Sequence, residues 1–292
     1  MDRRAKLSHF SIFVLPALVL IGVFVLYPCL RTISMSFFSG GKFTLKNYID
    51  VLKSRDIINP DGLSRREFPL GALPDNLIWI LIHLPLTIVL GLILAVYLKN
   101  VKGGSILKAI IFLGMVMPMI TGGVMIRFLF DKNIGVINAF LKLMGFAPKT
   151  WTAYPETALF SLIFGSVWLW TGFSMILYGA GLETIPKDLY EAAQIDGATR
   201  IRMFFSITIP LLKPITIVVV TMTLLWELKI FDIVYVATMG GPGGSSNVLA
   251  LQMYTYAFRG FDFGKSSVVA VFLTLFTLMV SIPMARTAGE KR

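Results

Sequence analysis

The chain has 292 residues, of which 56% are hydrophobic and 15% are charged, and its mean hydropathy is +0.77. One soluble core of this length needs far less apolar surface, so the composition excludes an ordinary soluble domain and indicates a membrane protein. The net charge of +11 is compatible with nucleic-acid binding. In a chain that crosses a membrane several times, however, such a charge more often reflects loops facing an anionic cytoplasmic leaflet.

Uncharged runs of membrane-spanning length divide the chain. Five of them approach or exceed the roughly 18 to 20 residues that cross a bilayer core, and they cover residues 7–30, 76–98, 109–126, 157–182 and 266–285. A sixth run, 214–226, is long enough only if its helix begins near Ile207 or carries charged residues toward its far end. We therefore predict an all-α polytopic membrane protein of about six transmembrane helices.

The uncharged run 233–258 contains GGPGGSSN. Its glycines and proline would leave backbone groups unpaired in lipid, so we predict a loop there. The N-terminal MDRRAK precedes an apolar stretch that is longer than a typical signal core and lacks a small-x-small cleavage site before Pro28. This pattern favours an uncleaved first helix over a signal peptide.

Basic residues indicate the orientation of the spans. With six spans and both termini inside, the cytoplasmic segments 1–9, 99–108, 182–213 and 286–292 hold 13 Lys and Arg in 58 residues. The opposite segments 31–73, 127–155 and 229–265 hold 14 in 109 residues. Because basic residues concentrate on the cytoplasmic side, we predict that both termini are cytoplasmic.

The sequence contains no clear pattern for a metal site or for a nucleotide-binding loop. The chain has one cysteine, Cys29, and two histidines, His9 and His83, whereas a zinc or haem centre built from these residue types needs several converging ligands. The stretch GFDFGKSS, 260–267, has one residue too few between its glycines for a phosphate-binding loop. We predict no cofactor and no ATP hydrolysis in this chain.

A charged insert, EAAQIDGATRIRMFFSITIPLLKP, separates two long apolar runs. Leu189, Ala192, Ala193 and Asp196 share one helical face. Gly197 is suited to end that helix in a left-handed conformation, and Thr199 to cap the next one. The residues alone leave two readings open, an interfacial hairpin on lipid headgroups and a docking element for a partner protein.

EAAQIDGAT followed by ITIPLLKP resembles the EAA loop of permease subunits of binding-protein-dependent ABC importers. The single departure is Ile209, where leucine is usual before Pro210. A second stretch, FDIVYVATMGGPGGSSNVLALQMYTYAF, resembles the outer-loop signature of the carbohydrate-uptake (maltose/glycerol-phosphate-like) branch, in the subunit type with a GGP turn. The resemblance runs from the Leu26-Tyr27-Pro28 end of the first span to Pro283.

The resemblance implies a single permease domain, 1–292, with the ABC type I importer fold. It comprises a first helix, 1–37, a five-helix core, 74–285, and a cytoplasmic coupling loop, 183–206. The coupling loop is expected to sit in a cleft of a separate ATPase subunit, which holds ATP and Mg²⁺. The residues that the resemblance assigns to this contact are Glu191, Ala192, Ala193, Asp196, Gly197 and Arg200. Gly197 is alternatively needed only for the turn itself.

The resemblance also implies partners and a cargo. The partners are a second, different permease subunit, an ATPase dimer and a soluble or lipid-anchored substrate-binding protein. The cargo is a sugar or oligosaccharide carried across the inner membrane by ATP-driven alternating access. Gly240, Gly241 and Pro242 either contact the binding protein or only form a turn.

Candidate residues of the substrate pathway lie in the fourth and fifth spans. Ionisable residues at membrane depth usually face a cavity or a partner, and the fifth span carries Trp226, Glu227, Lys229 and Asp232. Lys229 and Asp232 have the i, i+3 spacing of a helical ion pair. In the fourth span a second set shares one face, Trp170, Ser174 and Tyr178. The alternatives are snorkelling of the charges to the interface and plain packing of the tryptophans.

Three further residues carry weaker expectations. Asn76 and His83 share one face of the second span, where His83 is expected to be a satisfied core histidine. Arg127 ends the third span and is suited to an anionic ligand, although arginine is common at membrane interfaces. This leaves import of an acidic sugar or sugar phosphate as an alternative.

Two other classes of function fit the residues less well. A membrane-embedded lipid-modifying enzyme needs a clustered acid and base, and the acidic residues Glu183, Asp188, Glu191 and Asp196 show no accompanying histidine or metal-ligand pattern. A channel or secondary transporter leaves the EAA loop without a role.

Overall fold

The computed structural model describes residues 13–99 and 101–289, with side chains described as far as residue 284. A short antiparallel hairpin, β1 (Phe38–Ser39) and β2 (Lys42–Phe43), follows the first helix and places Phe38 opposite Phe43. The helices, in chain order, are α1 (Leu15–Ser36), α2 (Lys46–Lys53), α3 (Pro60–Arg65), α4 (Ala72–Leu98), α5 (Gly104–Val116), α6 (Met119–Leu129), α7 (Val136–Leu143), α8 (Pro155–Glu183), α9 (Lys187–Ile195), α10 (Arg200–Leu211), α11 (Lys213–Glu227), α12 (Asp232–Ala237), α13 (Leu249–Tyr254) and α14 (Phe263–Gly289).

Four helices of the described chain, α1, α4, α8 and α14, are long and apolar enough to cross a membrane. Two bent pairs, α5 with α6 and α10 with α11, raise the number to six if each pair is one span. The predicted all-α polytopic architecture is confirmed. Part of the predicted first span, residues 7–12, lies outside the described residues, and the described helix α1 continues to Ser36.

The third span is not the single helix predicted over 109–126. The chain turns by 104° between α5 and α6, and Met117 at the break is extended, with φ −71° and ψ 143°. Proline disfavours the helical conformation in the residue before it and has no N–H to donate, so Pro118 ends α5 and starts α6. A proline inside a long apolar run adds no charge, which is why the uncharged run 109–126 was predicted to be one continuous helix.

The fifth span also differs from the prediction. Its helical segment begins at Arg200, well before Ile207, and bends by 66° between α10 and α11. Pro214, in the first turn of α11, cannot donate a helical hydrogen bond, which accounts for the bend. Because α11 ends at Glu227, Lys229 and Asp232 lie beyond it.

The run 233–258, predicted as a loop, contains α12 and α13 on either side of a shorter loop. The two helices bury Ile233, Val234 and Leu251. Their backbone N–H and C=O groups are paired within each helix, which is why these stretches can be buried although the run contains a glycine-rich segment. The hydroxyl oxygen of Ser246, in the connecting GGPGGSSN segment, lies 2.8 Å from that of Thr238, two residues before the segment. The glycine-rich stretch is therefore an ordered turn.

Helix α8 lies at the centre of the bundle. In its most apolar stretch 72% of residues are buried, against 22% for α4 and none for α1. Two glycines permit close helix contact. A β-carbon at Gly91 of α4 would overlap Ser174 and lie 2.9 Å from the backbone nitrogen of Met175, and one at Gly172 of α8 would lie 2.8 Å from Phe112 Cα. Small residues at such contacts let helices approach closely in membranes.

This contact predicts a large difference between two glycine substitutions. Gly91→Ala should destabilise the protein by roughly 1–3 kcal/mol, because the added methyl group forces the α4 and α8 backbones apart. Gly179→Ala in α8 is the matched control, since nothing lies within 4 Å of its β-carbon position. Thermal unfolding in detergent should show a lower midpoint for Gly91→Ala alone; equal midpoints would contradict the close contact.

Candidate functional site

The loop between α8 and α11 has the two-helix form that the sequence predicts. Helix α9 begins directly after Pro186, and Gly197 has a left-handed backbone, with φ +74°. The Thr199 side chain accepts a hydrogen bond from the backbone N–H of Arg202 at 3.3 Å, which caps α10. The predicted left-handed glycine and threonine cap are confirmed. The name coupling loop is used below for residues 184–203, which lie within the predicted range 183–206.

One side of the coupling loop is bound to the helical bundle. The Tyr190 and Thr208 hydroxyl oxygens lie 2.8 Å apart, and Ile185 is buried at the end of α8. On the neighbouring connection, Lys99 Nζ donates a hydrogen bond to the backbone oxygen of Leu182 at 3.2 Å. These contacts hold the loop against the ends of α4, α8 and α10.

The other side of the coupling loop is open. Of the residues predicted to contact an ATPase, Ala193 is half-buried, and the rest are exposed, namely Glu191, Ala192, Asp196, Gly197 and Arg200. Two isoleucines beside them are among the most exposed apolar side chains described, with Ile195 87% and Ile201 73% accessible. An apolar patch edged by charges is typical of a protein interaction site. The contact with an ATPase itself stays a prediction.

A buried polar centre joins α4 to the end of α11. His83 Nδ1 and Glu227 Oε1 are 2.6 Å apart, and both side chains are fully buried. Asn76 donates from Nδ2 to the backbone oxygen of Glu227 at 3.0 Å and accepts at Oδ1 from the backbone N–H of Leu249 at 3.1 Å. The three side chains Asn76, His83 and Glu227, called the polar centre below, connect α4, α11 and α13.

Two tryptophans lie beside the polar centre. The ring centroids of Trp170 and Trp226 are 4.2 Å apart, and that of Trp226 lies 5.9 Å from the His83 ring. Trp170 is buried and Trp226 is partly exposed. Residues predicted separately in the fourth and fifth spans are thus in contact, and Trp226 presents the accessible aromatic surface. A role for either side chain in binding substrate stays a prediction.

Other predicted pathway residues are packed within the bundle. Glu227 is engaged by His83, Ser174 is buried against Gly91, and Tyr178 is buried with its hydroxyl donating to Thr216 Oγ1 at 3.3 Å. In this conformation these three side chains hold helices together. They were predicted to line the substrate pathway, and that role stays a prediction, because polarity at membrane depth does not distinguish a helix contact from a passage.

Lys229 and Asp232 are exposed. The described residues show no ion pair between them. Their i, i+3 spacing predicted one, but α11 ends at Glu227 and Asp232 starts α12, so the two residues do not share a helix. Lys229 instead lines a cavity of about 620 Å³ whose walls include Phe231, Tyr254 and Phe258.

The aromatic residues of this cavity were not identified from the sequence. Phe231 stacks on Tyr235 at 5.1 Å, Tyr254 lies 5.3 Å from Phe231, and Phe258 lies 5.0 Å from Tyr254. Tyr235 and Tyr254 belong to α12 and α13, and Phe258 follows α13, all within the run 233–258 that was predicted as a loop, whereas Phe231 directly precedes α12. Helical spacing of aromatic residues across a glycine-rich turn is the signal that would have found them.

The described helices form a bundle with up to six candidate membrane spans, a buried polar centre and an exposed two-helix loop, which is the architecture of a polytopic membrane protein. Residues 87–288 match the family model described as the inner membrane component of binding-protein-dependent transport systems. The chain belongs to this family, and it is a multi-pass inner membrane protein.

The chain is similar to curated relatives over its whole length. It is 56% identical to a probable ABC transporter permease protein of Pyrococcus horikoshii, with 98% of this chain and 100% of the relative aligned. It is 33% identical to the trehalose/maltose transport system permease protein of Thermococcus litoralis, over 99% of this chain and 96% of that protein. These similarities confirm the predicted resemblance to ABC importer permeases.

Solved structures show the same fold. A chain of a bacterial ABC transporter involved in importing the acidic polysaccharide alginate superposes with a TM-score of 0.81 at 19% identity, covering 99% of this chain and 97% of that chain. A structure of the bacterial alginate ABC transporter in complex with alginate pentasaccharide-bound periplasmic protein gives a TM-score of 0.79 at 20% identity, covering 97% and 93%. The predicted importer permease fold is confirmed.

The polar centre predicts energetic coupling between α4 and α11. A double-mutant cycle of His83→Ala and Glu227→Ala should show a coupling energy of about 1–2 kcal/mol, near the upper end for hydrogen bonds in membrane proteins. Unfolding titrations in mixed micelles measure each variant. Glu227→Gln is the matched control, because its amide retains hydrogen-bonding capacity toward the imidazole and should cost less than Glu227→Ala. Additive single effects would contradict the coupling.

Proposed function

We propose that this chain is the permease subunit of an ABC importer that carries a sugar or oligosaccharide across the inner membrane by ATP-driven alternating access. The observation that carries this proposal is the coupling loop, which is fixed to the bundle on one side and open on the other. Family membership supports the transport role. The trehalose/maltose relative supports the substrate class.

The open side of the coupling loop is the proposed contact with an ATPase subunit. Ile195 and Ile201 supply apolar surface, while Glu191, Asp196 and Arg200 supply charges that fix the register of docking. ATP and Mg²⁺ bind to that partner. Consistent with this, Gly264 and Lys265 lie in the first turn of α14 after an irregular segment, whereas a phosphate-binding loop follows a buried strand.

Movement of the coupling loop has a direct route into the bundle. Only residues 184–186 separate α9 from α8, the most buried helix among the candidate spans. The contacts of Tyr190 with Thr208 and of Lys99 with Leu182 tie the same region to α10 and α4. A rigid element fixed in this way transmits displacement that a flexible tether would absorb.

The substrate pathway is proposed to pass the accessible surface of Trp226 and the cavity beside Lys229. Aromatic faces stack on the apolar faces of sugar rings, and such faces are provided by Trp226 in α11, Phe231 just before α12 and Tyr254 in α13. Lys229 and Asp232 are exposed and available to sugar hydroxyl groups. The cation at Lys229 favours an acidic sugar as the second candidate substrate, and the test below separates the two.

Two exposed parts of the chain, helix α1 and the loop around Gly240, are proposed to contact partners. Helix α1 has none of its most apolar stretch buried, so we assign it to lipid and to a second, different permease subunit. The loop around Gly240, Gly241 and Pro242 is proposed to face a substrate-binding protein, in line with the periplasmic protein in the alginate transporter complex. With the coupling loop inside, both termini are cytoplasmic.

The coupling role predicts opposite outcomes for two substitutions at Gly197. Gly197→Val should abolish substrate-stimulated ATP hydrolysis, since a β-branched residue at φ +74° disrupts the turn at a cost of at least roughly 1–2 kcal/mol. Gly197→Asn should retain most of it, because asparagine tolerates this conformation. Membrane insertion and assembly are checked by co-purification of the ATPase. Unchanged ATPase stimulation in Gly197→Val would contradict the assignment.

The function is tested with the reconstituted complex of both permease subunits, ATPase and binding protein. Neutral and acidic oligosaccharides of several lengths are supplied, and ATP hydrolysis and uptake into liposomes are measured. We expect one saccharide class to stimulate both. Neutral sugars should remain active in Lys229→Ala, while an acidic substrate should lose stimulation in that variant. Absence of an ATPase or second permease from the purified complex would overturn the proposal.

A further inference from the structure

An apolar surface lies at the end of the bundle opposite the coupling loop. Five large apolar side chains of the hairpin and of the region around α2 are 45–71% accessible, and they are Phe38, Phe43, Leu45, Ile49 and Leu52. They are called the outer apolar face. The last three follow i, i+4 and i+7 spacing, so they form one stripe along α2 and the residue before it.

Helix α2 has a second apolar side that is already packed. Val51 is buried, and Tyr48 contacts Phe272 of α14 with ring centroids 6.0 Å apart. The short helix is therefore apolar on two sides, only one of which is explained by the bundle. The outer apolar face needs another apolar environment, because a contiguous patch of this kind is costly to leave in water.

The position of α2 relative to the membrane is set by its contacts with α1. Asn47 donates from Nδ2 to the backbone oxygens of Ser36 and Phe38, at 3.1 and 2.9 Å. Helix α1 has 22 residues, which at about 1.5 Å per residue is close to the roughly 30 Å thickness of a hydrocarbon core. Ser36 thus ends a helix long enough to cross the hydrocarbon core, and the Asn47 hydrogen bonds hold α2 beside that end.

The charged residues around the outer apolar face are arranged as in helices that lie at the membrane–water interface. Lys42, Lys46 and Lys53 flank the outer apolar face and are exposed. The one acidic residue of α2, Asp50, is half-buried and interacts electrostatically with Lys265 of α14. Lysines beside an apolar stripe place their stems on it and their ammonium groups on lipid phosphates.

We propose that the hairpin and α2, residues 38–53, form an anchor in the outer leaflet of the membrane, with the outer apolar face among acyl chains and the three lysines at the headgroup phosphates. This surface is separate from the coupling loop and the substrate pathway. It fixes the outer ends of α1 and α14 relative to the bilayer. The occupant is phospholipid rather than a second protein.

The single cysteine makes the test direct. In a Cys29→Ser background, Ile49→Cys and Leu52→Cys are labelled with the environment-sensitive fluorophore NBD and reconstituted, with all subunits of the complex, into vesicles of phosphatidylglycerol and phosphatidylcholine. Leu63→Cys in α3 is the matched control, since Leu63 is 44% accessible but lies outside the outer apolar face. Retained ATPase activity verifies each labelled complex.

Expected results are blue-shifted emission and quenching by lipids brominated near the headgroup at positions 49 and 52, and neither at position 63. Blue-shifted emission without lipid quenching would show that a protein subunit covers the face and would overturn the proposal. Unshifted emission quenched by aqueous iodide would overturn it as well. The combined change Lys42→Glu, Lys46→Glu and Lys53→Glu should reduce the lipid quenching; unchanged quenching would overturn the role given to the lysines.

Discussion

The arrangement of the bundle depends on the hydrogen bond between His83 and Glu227. Their Nδ1 and Oε1 atoms are 2.6 Å apart, and both side chains are fully buried. A buried polar group that loses its hydrogen bond is costly, and these surroundings offer no solvent to replace the partner. Each side chain therefore constrains the position of the other. Asn76 adds two hydrogen bonds to backbone groups on α11 and α13. Together these contacts set the height of the second span against the end of the fifth, and with it the location of Trp226 beside Trp170.

Much of the fold is readable from the sequence because its determinants are local. Span lengths follow from the uncharged runs, and the coupling loop follows from Gly197 and Thr199, whose backbone roles are confined to a few neighbours. The break at Met117 was missed because a proline leaves hydropathy unchanged while removing a hydrogen bond. The helix capped by Thr199 was predicted, but its continuation to Leu211, next to the bend into α11, was not, because the charges of Arg200 and Arg202 exclude this stretch from an apolar run.

The site is less readable, because its contacts join residues far apart in the chain. Glu227 was identified as an ionisable residue at membrane depth and His83 as a core histidine, but their pairing spans 144 positions, and nothing in either local pattern specifies it. Lys229 and Asp232 show the reverse case. Their spacing indicated a pair, but α11 ends at Glu227, before either residue, and Asp232 starts α12, so the helical geometry on which that inference rested is absent. Pairings within a helix are predictable only where the helix is continuous.

The glycine contacts of α8 bear on how such a protein changes conformation. At Gly91 and Gly172 neighbouring backbones approach so closely that a single methyl group does not fit, so α4, α5 and α8 have little freedom to slide past one another. A rearrangement that preserves these contacts has to pivot where the helices are already interrupted, near Met117 and near Leu212. The two proline-bordered bends are thus the natural hinges about which α6, α10 and α11 can move relative to the body formed by α4, α5 and α8.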